Sequence, residues 1–302
     1  MENANKEHSE KKENMETLYH YCSNKAFHSI IKSRSIWLSS LSLSNDSMEG
    51  KLVLDIITEI AKNDSLDENS INRLQNSVSL LNKVADGLGF CLSEEMDLLS
   101  QWRAYTDDAS GVSIGFSKKY LEKLSDHRRH DPEKWGFTLQ KVVYEKNKQI
   151  DLIKPTYEEI KELINKGAYK ISGRRSLLDT RTEEEIEKDD KEFKKAYSNL
   201  SIKALCLLSK LYLLKQKAFR EEQEWRLISY LVKSGDDDCS FRVSRNIITP
   251  YRKFPLLDLD EPSVVRVVLG PKNETPEDVI ANFLRQNNFN DVKIVRSEAS
   301  YR

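Results

Sequence analysis

Apolar and polar positions alternate near both ends of the chain and recur at helical spacing between them. TLYHYC, residues 17 to 22, sets Leu18, His20 and Cys22 on one face of a strand and Tyr19 and Tyr21 on the other. NKAFHSIIKSR repeats Phe27, Ile30 and Ile31 as a short amphipathic helix that Ser23 or Asn24 can cap, and SIWLSS follows as a second strand. Residues 47 to 86 hold two helical patterns broken at KNDSLDENS. GFCLSEE reads as a strand, MDLLSQWRAY spaces Leu98, Leu99, Trp102 and Tyr105 as a helix, and GVSIGF and FTLQKVVYE read as strands.

The stretch from 146 to 218 is charged and mostly helical, with EEEIEKDDKEFKK solvated and ALCLLSKLYLLK (204 to 215) a core helix. Strands then return in EWRLISYLV, FRVS and VVRVVLG, with a loop around PYRKFP. Thr275, with Pro276 at the first helical position, opens PEDVIANFLRQ, and DVKIVRS closes as a strand. Strands at both ends around helical middles predict one α+β domain over 17–302, with helical segments at about 47–86 and 146–218. Residues 1–16 are polar and charged, which predicts a disordered tail rather than a signal peptide or an anchor.

Composition changes this picture little. The 302 residues are 38% hydrophobic and 32% charged, enough to bury a core, and the formal charge of −1 gives no global footprint of a nucleic-acid or membrane binder. The longest apolar run falls far short of the ~20 residues of a membrane span. Four widely spaced cysteines without a CxxC pair point to buried free thiols in a cytoplasmic protein. There is no GxxxxGK[ST], no GxGxxG after a strand and no HExxH.

Candidate chemistry concentrates in REEQEWRLISYL, residues 220 to 231. On an extended strand Glu222, Glu224 and Arg226 share one face. In a cleft, one carboxylate would stabilise an oxocarbenium-like centre, the second would move a proton or orient a group, and Arg226 would steady both. The same pattern also fits a solvated strand end with an Arg226–Glu224 ion pair. His20 offers one donor and one acceptor to a ribose or phosphate, or serves the core. Ser39 and Ser40 offer hydroxyls, but no histidine and acid stand at the spacing of a hydrolase triad. Trp102 and Tyr105 form either an aromatic platform or core packing. HRRH, residues 127 to 130, reads as a phosphate contact or, better, as a solvated loop. A metal-dependent nuclease built on Glu222 and Glu224 is the weakest alternative, since Arg226 rather than a lysine follows the acids.

Five blocks, in order, resemble a widespread bacterial family of unknown function found in mobile elements and defence neighbourhoods. They are LYHYCS with SIWLSS, SNDSMEG, FCLSEE with QWRAYTDDASGVSIGF, EEQEWRLI, and VVRVVLGP. Asn45, Asp46 and Glu49 match an Asn-Asp-x-x-Glu signature, while Ser47 and Met48 depart from its proline and phenylalanine. The likeness covers most of 17–271, with the helical middle outside it. That family in turn looks like a distant relative of the ADP-ribosyltransferases. The resemblance implies a mixed, mainly antiparallel split sheet with a helical insertion, and NAD as cofactor. It implies Glu224 on the nicotinamide ribose, Glu222 orienting the acceptor, His20 on the adenosine-side ribose and Tyr105 or Trp102 stacked on nicotinamide, with Arg226 and Ser39 as further cofactor contacts. The implied protein is a toxin or antiphage effector acting on a nucleic-acid or protein acceptor, with a neutralising or sensor partner protein and no membrane. A non-catalytic nucleotide-binding or sensor domain is the alternative.

Overall fold

The computed structural model describes residues 16–44, 48–129, 136–169, 180–233, 239–244 and 246–301. The tail expected over 1–16 therefore falls almost wholly outside the described residues, as do Asn45 and Asp46. The chain opens as expected with β1 (Thr17–Cys22), α1 (Asn24–Ser33) and β2 (Ser35–Ser40). Ser23 caps α1, its hydroxyl accepting from the Ala26 amide at 3.2 Å, and Phe27, Ile30 and Ile31 supply the buried face. α2 (Leu52–Asn63) and α3 (Glu68–Val84) follow, the second capped by Asp67. Then come β3 (Ala85–Ser93), α4 (Leu99–Tyr105), β4 (Val112–Ser117), α5 (Lys118–Arg129) and β5 (Thr138–Lys141).

The helical middle is α6 (Lys146–Leu163), which runs into a π-helical turn (Ile164–Ala168), then α7 (Glu183–Leu205) and the single turn α8 (Leu208–Leu211). A 3₁₀ turn (Lys217–Glu222) leads into β6 (Glu224–Val232), β7 (Ser240–Ser244), β8 (Ile247–Pro255), β9 (Val264–Leu269), α9 (Glu277–Gln286) and β10 (Lys293–Arg296).

Four sequence expectations give way. HRRH is not a loop: His127, Arg128 and Arg129 form the last turn of α5, whose Tyr120, Leu121, Leu124 and Arg128 recur at helical spacing and are buried. PYRKFP lies within β8, where the alternation of Arg252 and Phe254 inward against Tyr251 and Lys253 outweighs the two prolines, one of which only closes the strand. ALCLLSKLYLLK is not one helix. Four consecutive side chains, 211–214, are buried, so the chain leaves the helix and bridges Val143, whose amide donates to the Leu213 carbonyl at 2.8 Å. Pro276 is the N-cap of α9 and not its first helical residue.

The sheet is mixed and mainly antiparallel, and among the described strands the one parallel pair is β9 with β10. Its ten strands fork on β3. One edge of β3 pairs with β6 along its whole length, from Ala85↔Val232 to Ser93↔Glu224. The other edge meets two branches: β2, β8 and β7 join at Leu88 and Gly89, while β1, β4, β9 and β10 join through the single pair Tyr19↔Ser93. The sheet is thus split between β1 and β2, and the edge of β3 at Cys91 opens into the gap.

One face of the sheet packs Leu18, Phe90, Ile114, Phe116 and Leu227 under α1, α5 and α9. On the other face α2, α3, α6 and α7 build a second core over Leu213 and Ile228, and Trp102 seals a third with Tyr19, Tyr21 and Val268. Gly87 and Gly89 make the second face reachable. A Cβ on Gly87 would sit 2.4 Å from the Tyr212 ring, and one on Gly89 would sit 2.5 Å from Leu41. Among the described residues no helix is long and apolar enough to cross a membrane.

Candidate functional site

The register carries Glu224 and Arg226 to one face of β6, beside Ser93 and Cys91 of β3. Glu222 is not on the strand. It ends the 3₁₀ turn, and Gln223, in the left-handed region with φ 43°, swings the chain so that the Glu222 carboxylate returns to the same side. The agent of that return is Lys215, whose ammonium donates to Glu222 Oε2 at 2.5 Å and to Glu224 Oε2 at 3.0 Å. Lys215 reaches this place because the chain abandons its helix just before it, and it stands 4.9 Å from the centroid of Phe219.

Arg226 is 2% exposed and spends all five N–H donors within the protein. Nε and Nη2 clamp Glu224 at 2.7 and 2.9 Å, and Nη1 and Nη2 clamp Glu49 at 2.6 and 3.0 Å. Nη1 also donates to the Tyr212 carbonyl at 2.8 Å. The solvated ion pair is excluded: this is a buried network of three carboxylates and two cations. Arg226, expected as a cofactor contact, has no donor left to offer one.

Burial opposes every charge in the network, and partners decide each outcome. For Glu224 burial pushes the carboxyl up, yet Arg226 and Lys215 overcome it and hold the group down at about 2. For Glu222 burial wins over the pull of Lys215, and the carboxyl titrates above its ordinary value; Glu49 is raised likewise despite Arg226. Lys215 is held as an ammonium because Glu224 and Glu222 outweigh its desolvation. Two acids two residues apart are thereby driven in opposite directions.

A cavity of about 130 Å³ opens over this network at the fork of the sheet, and Glu49, Lys215, Glu222, Glu224 and Arg226 line it. His20 forms part of its wall. The ring stacks on Phe90 with centroids 3.9 Å apart, and Nδ1 lies 2.8 Å from the Cys91 carbonyl across the gap between β1 and β3. A carbonyl only accepts, so Nδ1 carries the proton. Burial lowers the imidazole to about 4, leaving it neutral with Nε2 a lone-pair acceptor. Cys91 stands on the same wall as an exposed residue, not the buried thiol expected, because it faces the gap in the sheet; desolvation within the cavity and the Glu224 carboxylate push its thiol up and keep it protonated.

The opposite wall comes from α4. Gln101 and Tyr105, one turn apart, both line the cavity. Gln101 as a residue is 8% exposed, and its side-chain amide makes no hydrogen bond among the described residues. Trp102 points the other way. It is fully buried, meets Tyr21 edge-on at 4.8 Å and donates from Nε1 to Asp97 at 2.6 Å, so it is core and not a platform. Ser39 does not line the cavity either; it pairs with Gly89 on the other branch and accepts from Arg242 at 3.1 Å.

The structure therefore gathers Glu222, Glu224, Arg226, His20 and Tyr105 and leaves Trp102 and Ser39 outside. Sequence reading missed Lys215, Glu49 as the second partner of Arg226, Gln101 and Cys91. Only Glu49 carried a signal, as the last residue of the Asn-Asp-x-x-Glu signature. Among the described residues no group of three or more histidines, cysteines and acids is arranged to hold a metal ion.

A family model described as "Protein of unknown function (DUF2971)" matches residues 101–227. The matched stretch takes in Gln101, Tyr105, Lys215, Glu222, Glu224 and Arg226, and it includes the helical middle expected to lie outside the family likeness. No curated protein and no solved structure matches the chain, so the expected likeness to ADP-ribosyltransferases finds no counterpart there.

Proposed function

We propose that the cleft binds a nucleotide such as NAD and cleaves its glycosidic bond, passing the ribosyl group to a nucleic-acid or protein acceptor. The observation that carries this reading is the divergence of two neighbouring acids on one lysine: Glu224 is held down at about 2 while Glu222 is pushed up. As the bond from the anomeric carbon to nicotinamide breaks, its electron pair returns to the pyridinium ring and positive charge develops on the ribose. Glu224, ionised at every working pH, faces that charge. Glu222 takes the proton from the attacking acceptor, and Lys215, bonded to both acids, keeps them in register. His20 Nε2 accepts from a ribose hydroxyl, and Arg226 acts through Glu224 as a positioning residue.

A second reading, a nucleotide-binding module without turnover, is favoured by one observation: both oxygens of Glu224 are already engaged by Arg226 and Lys215. Nicotinamide release by the purified full chain incubated with NAD separates the two, with host lysate and nucleic acid added in parallel. Glu222→Gln should lower release by about 10²- to 10⁴-fold, the range for a lost general acid or base, while melting within a few degrees of the parent. A folded parent that releases nothing under any addition removes the enzymatic reading and leaves the binding module.

A further inference from the structure

Every cation on the cavity wall is already committed. Arg226 has no free donor, and Lys215 is spent on two carboxylates. With three acids against two bases, the cavity suits a sugar or a developing cation and repels a phosphate. A nucleotide must therefore meet its phosphates elsewhere. On the nucleotide reading, we propose that Arg242, with Ser39 and the stacked pair Trp37 and Tyr251, forms a phosphoryl subsite on the β2, β8 and β7 branch of the sheet.

Four observations support it. Arg242 donates from Nη2 to Ser39 Oγ, yet its Nε is buried without any partner. Partial burial pushes the guanidinium down and Tyr251 pulls it back; among the described residues no carboxylate acts on it. A half-buried arginine with no acidic partner among the described residues is one that an incoming anion stabilises, and the planar guanidinium fits phosphate oxygens in pairs. Third, the guanidinium stands over Trp37, 6.0 Å from its centroid, and Trp37 stacks on Tyr251 at 4.5 Å, giving a half-buried aromatic surface beside the charge.

The last observation is position. The register places Trp37, Ser39, Tyr251 and Arg242 on one face, and Ser39 pairs with Gly89, which shares that face with Cys91 of the cavity wall. The positive charge of Arg242 reaches His20, which lines the acid cavity. A ligand with its ribose over Glu224 extends past His20 onto Arg242. Ser39, expected as a cofactor contact and absent from the acid cavity, finds its use here.

Calorimetric titration of the full chain with inorganic pyrophosphate, ADP-ribose and ribose tests the subsite. Arg242→Gln should weaken pyrophosphate and ADP-ribose by 10-fold or more and flatten their salt dependence while leaving ribose unchanged; Ser39→Ala should give a smaller loss in the same direction. Equal affinity of parent and both variants for pyrophosphate and ADP-ribose overturns the proposal, as does a parent that binds neither. Pyrophosphate binding that depends on Arg242, in a protein that releases no nicotinamide, keeps the subsite and removes the cleavage. Nicotinamide release that is indifferent to Arg242 does the reverse. A short single-stranded oligonucleotide that competes with pyrophosphate only when Arg242 is present assigns the phosphate to the acceptor strand and not to the nucleotide.

Discussion

Arg226 is the residue on which the site's stability turns. Four of its five donors hold two buried carboxylates from distant parts of the chain, Glu49 and Glu224, and the fifth holds the Tyr212 carbonyl. Replacing it with methionine leaves both acids without their main counter-charge, a change that costs about 3–5 kcal/mol, and lysine cannot replace two forks with three donors. A urea midpoint close to the parent's for Arg226→Met would show that the network contributes nothing. The acids also predict an acid limb. Glu224 titrates lower folded than unfolded, so it stabilises the fold above its ordinary value and loses that contribution as pH falls from about 4.5 toward about 2. Glu222 and Glu49 are raised, so their contribution runs the other way and is lost as pH rises through their folded values. Urea melts at pH 3 and pH 7 should therefore differ less in Glu224→Gln than in the parent, and an equal difference would mean that Glu224 is not held down. At this scale the sequence showed the acids and Arg226 as a group, because charge just before an apolar run stands out. Lys215 was invisible, since nothing in an apolar stretch announces where a helix will stop.

β3 shows how an element serves the site. It is the hub on which three strands converge, and its two glycines let Tyr212 and Leu41 lie flat against it. Tyr212 in turn gives its carbonyl to Arg226 and its hydroxyl to Asp86. The ring is 1% exposed and has nowhere to move, so Gly87→Ala overpacks the interface and should destabilise the protein by about 1–3 kcal/mol, read as a lower urea midpoint with an unchanged m-value. A loss under about 0.5 kcal/mol would mean that the ring yields. Periodicity made α1 and α9 legible because each buries one clean face, and β1, β3, β6 and β9 were legible as short apolar runs buried on both faces. It failed where two rules competed: basic residues closing α5 looked like a loop, and prolines within β8 looked like breaks. Gln101 stayed hidden because a glutamine on a helix gives no hint that it faces a cavity.

The split sheet was expected from family likeness and not from spacing, since no local pattern tells which strands, 17–22, 35–40 and 85–93, share an edge. The long-range clasp on α4 was equally unreadable. Asp97, just ahead of α4, accepts from Trp102 Nε1, from the Ser297 hydroxyl and from the Glu298 amide. Beyond α4, Asp108 binds Lys272 at 2.7 Å and the Tyr301 hydroxyl at 2.6 Å, and Lys272 lies over the Tyr301 ring. Residues near the end of the chain thus pin both ends of the helix that presents Gln101 and Tyr105 to the cavity. Removing residues 297–302 deletes the bonds of Ser297, Glu298 and Tyr301, leaves Trp102–Asp97 and Lys272–Asp108 in place, and touches neither large core nor the Arg226 network. Hydrogen exchange in the truncated protein should quicken across 98–106 while β3 and β6 keep their protection, and ribose and ADP-ribose should weaken together because both need the α4 wall. Protection of 98–106 equal to that of the parent would mean that Trp102, packed against Tyr21 and Val268, holds the helix without the clasp.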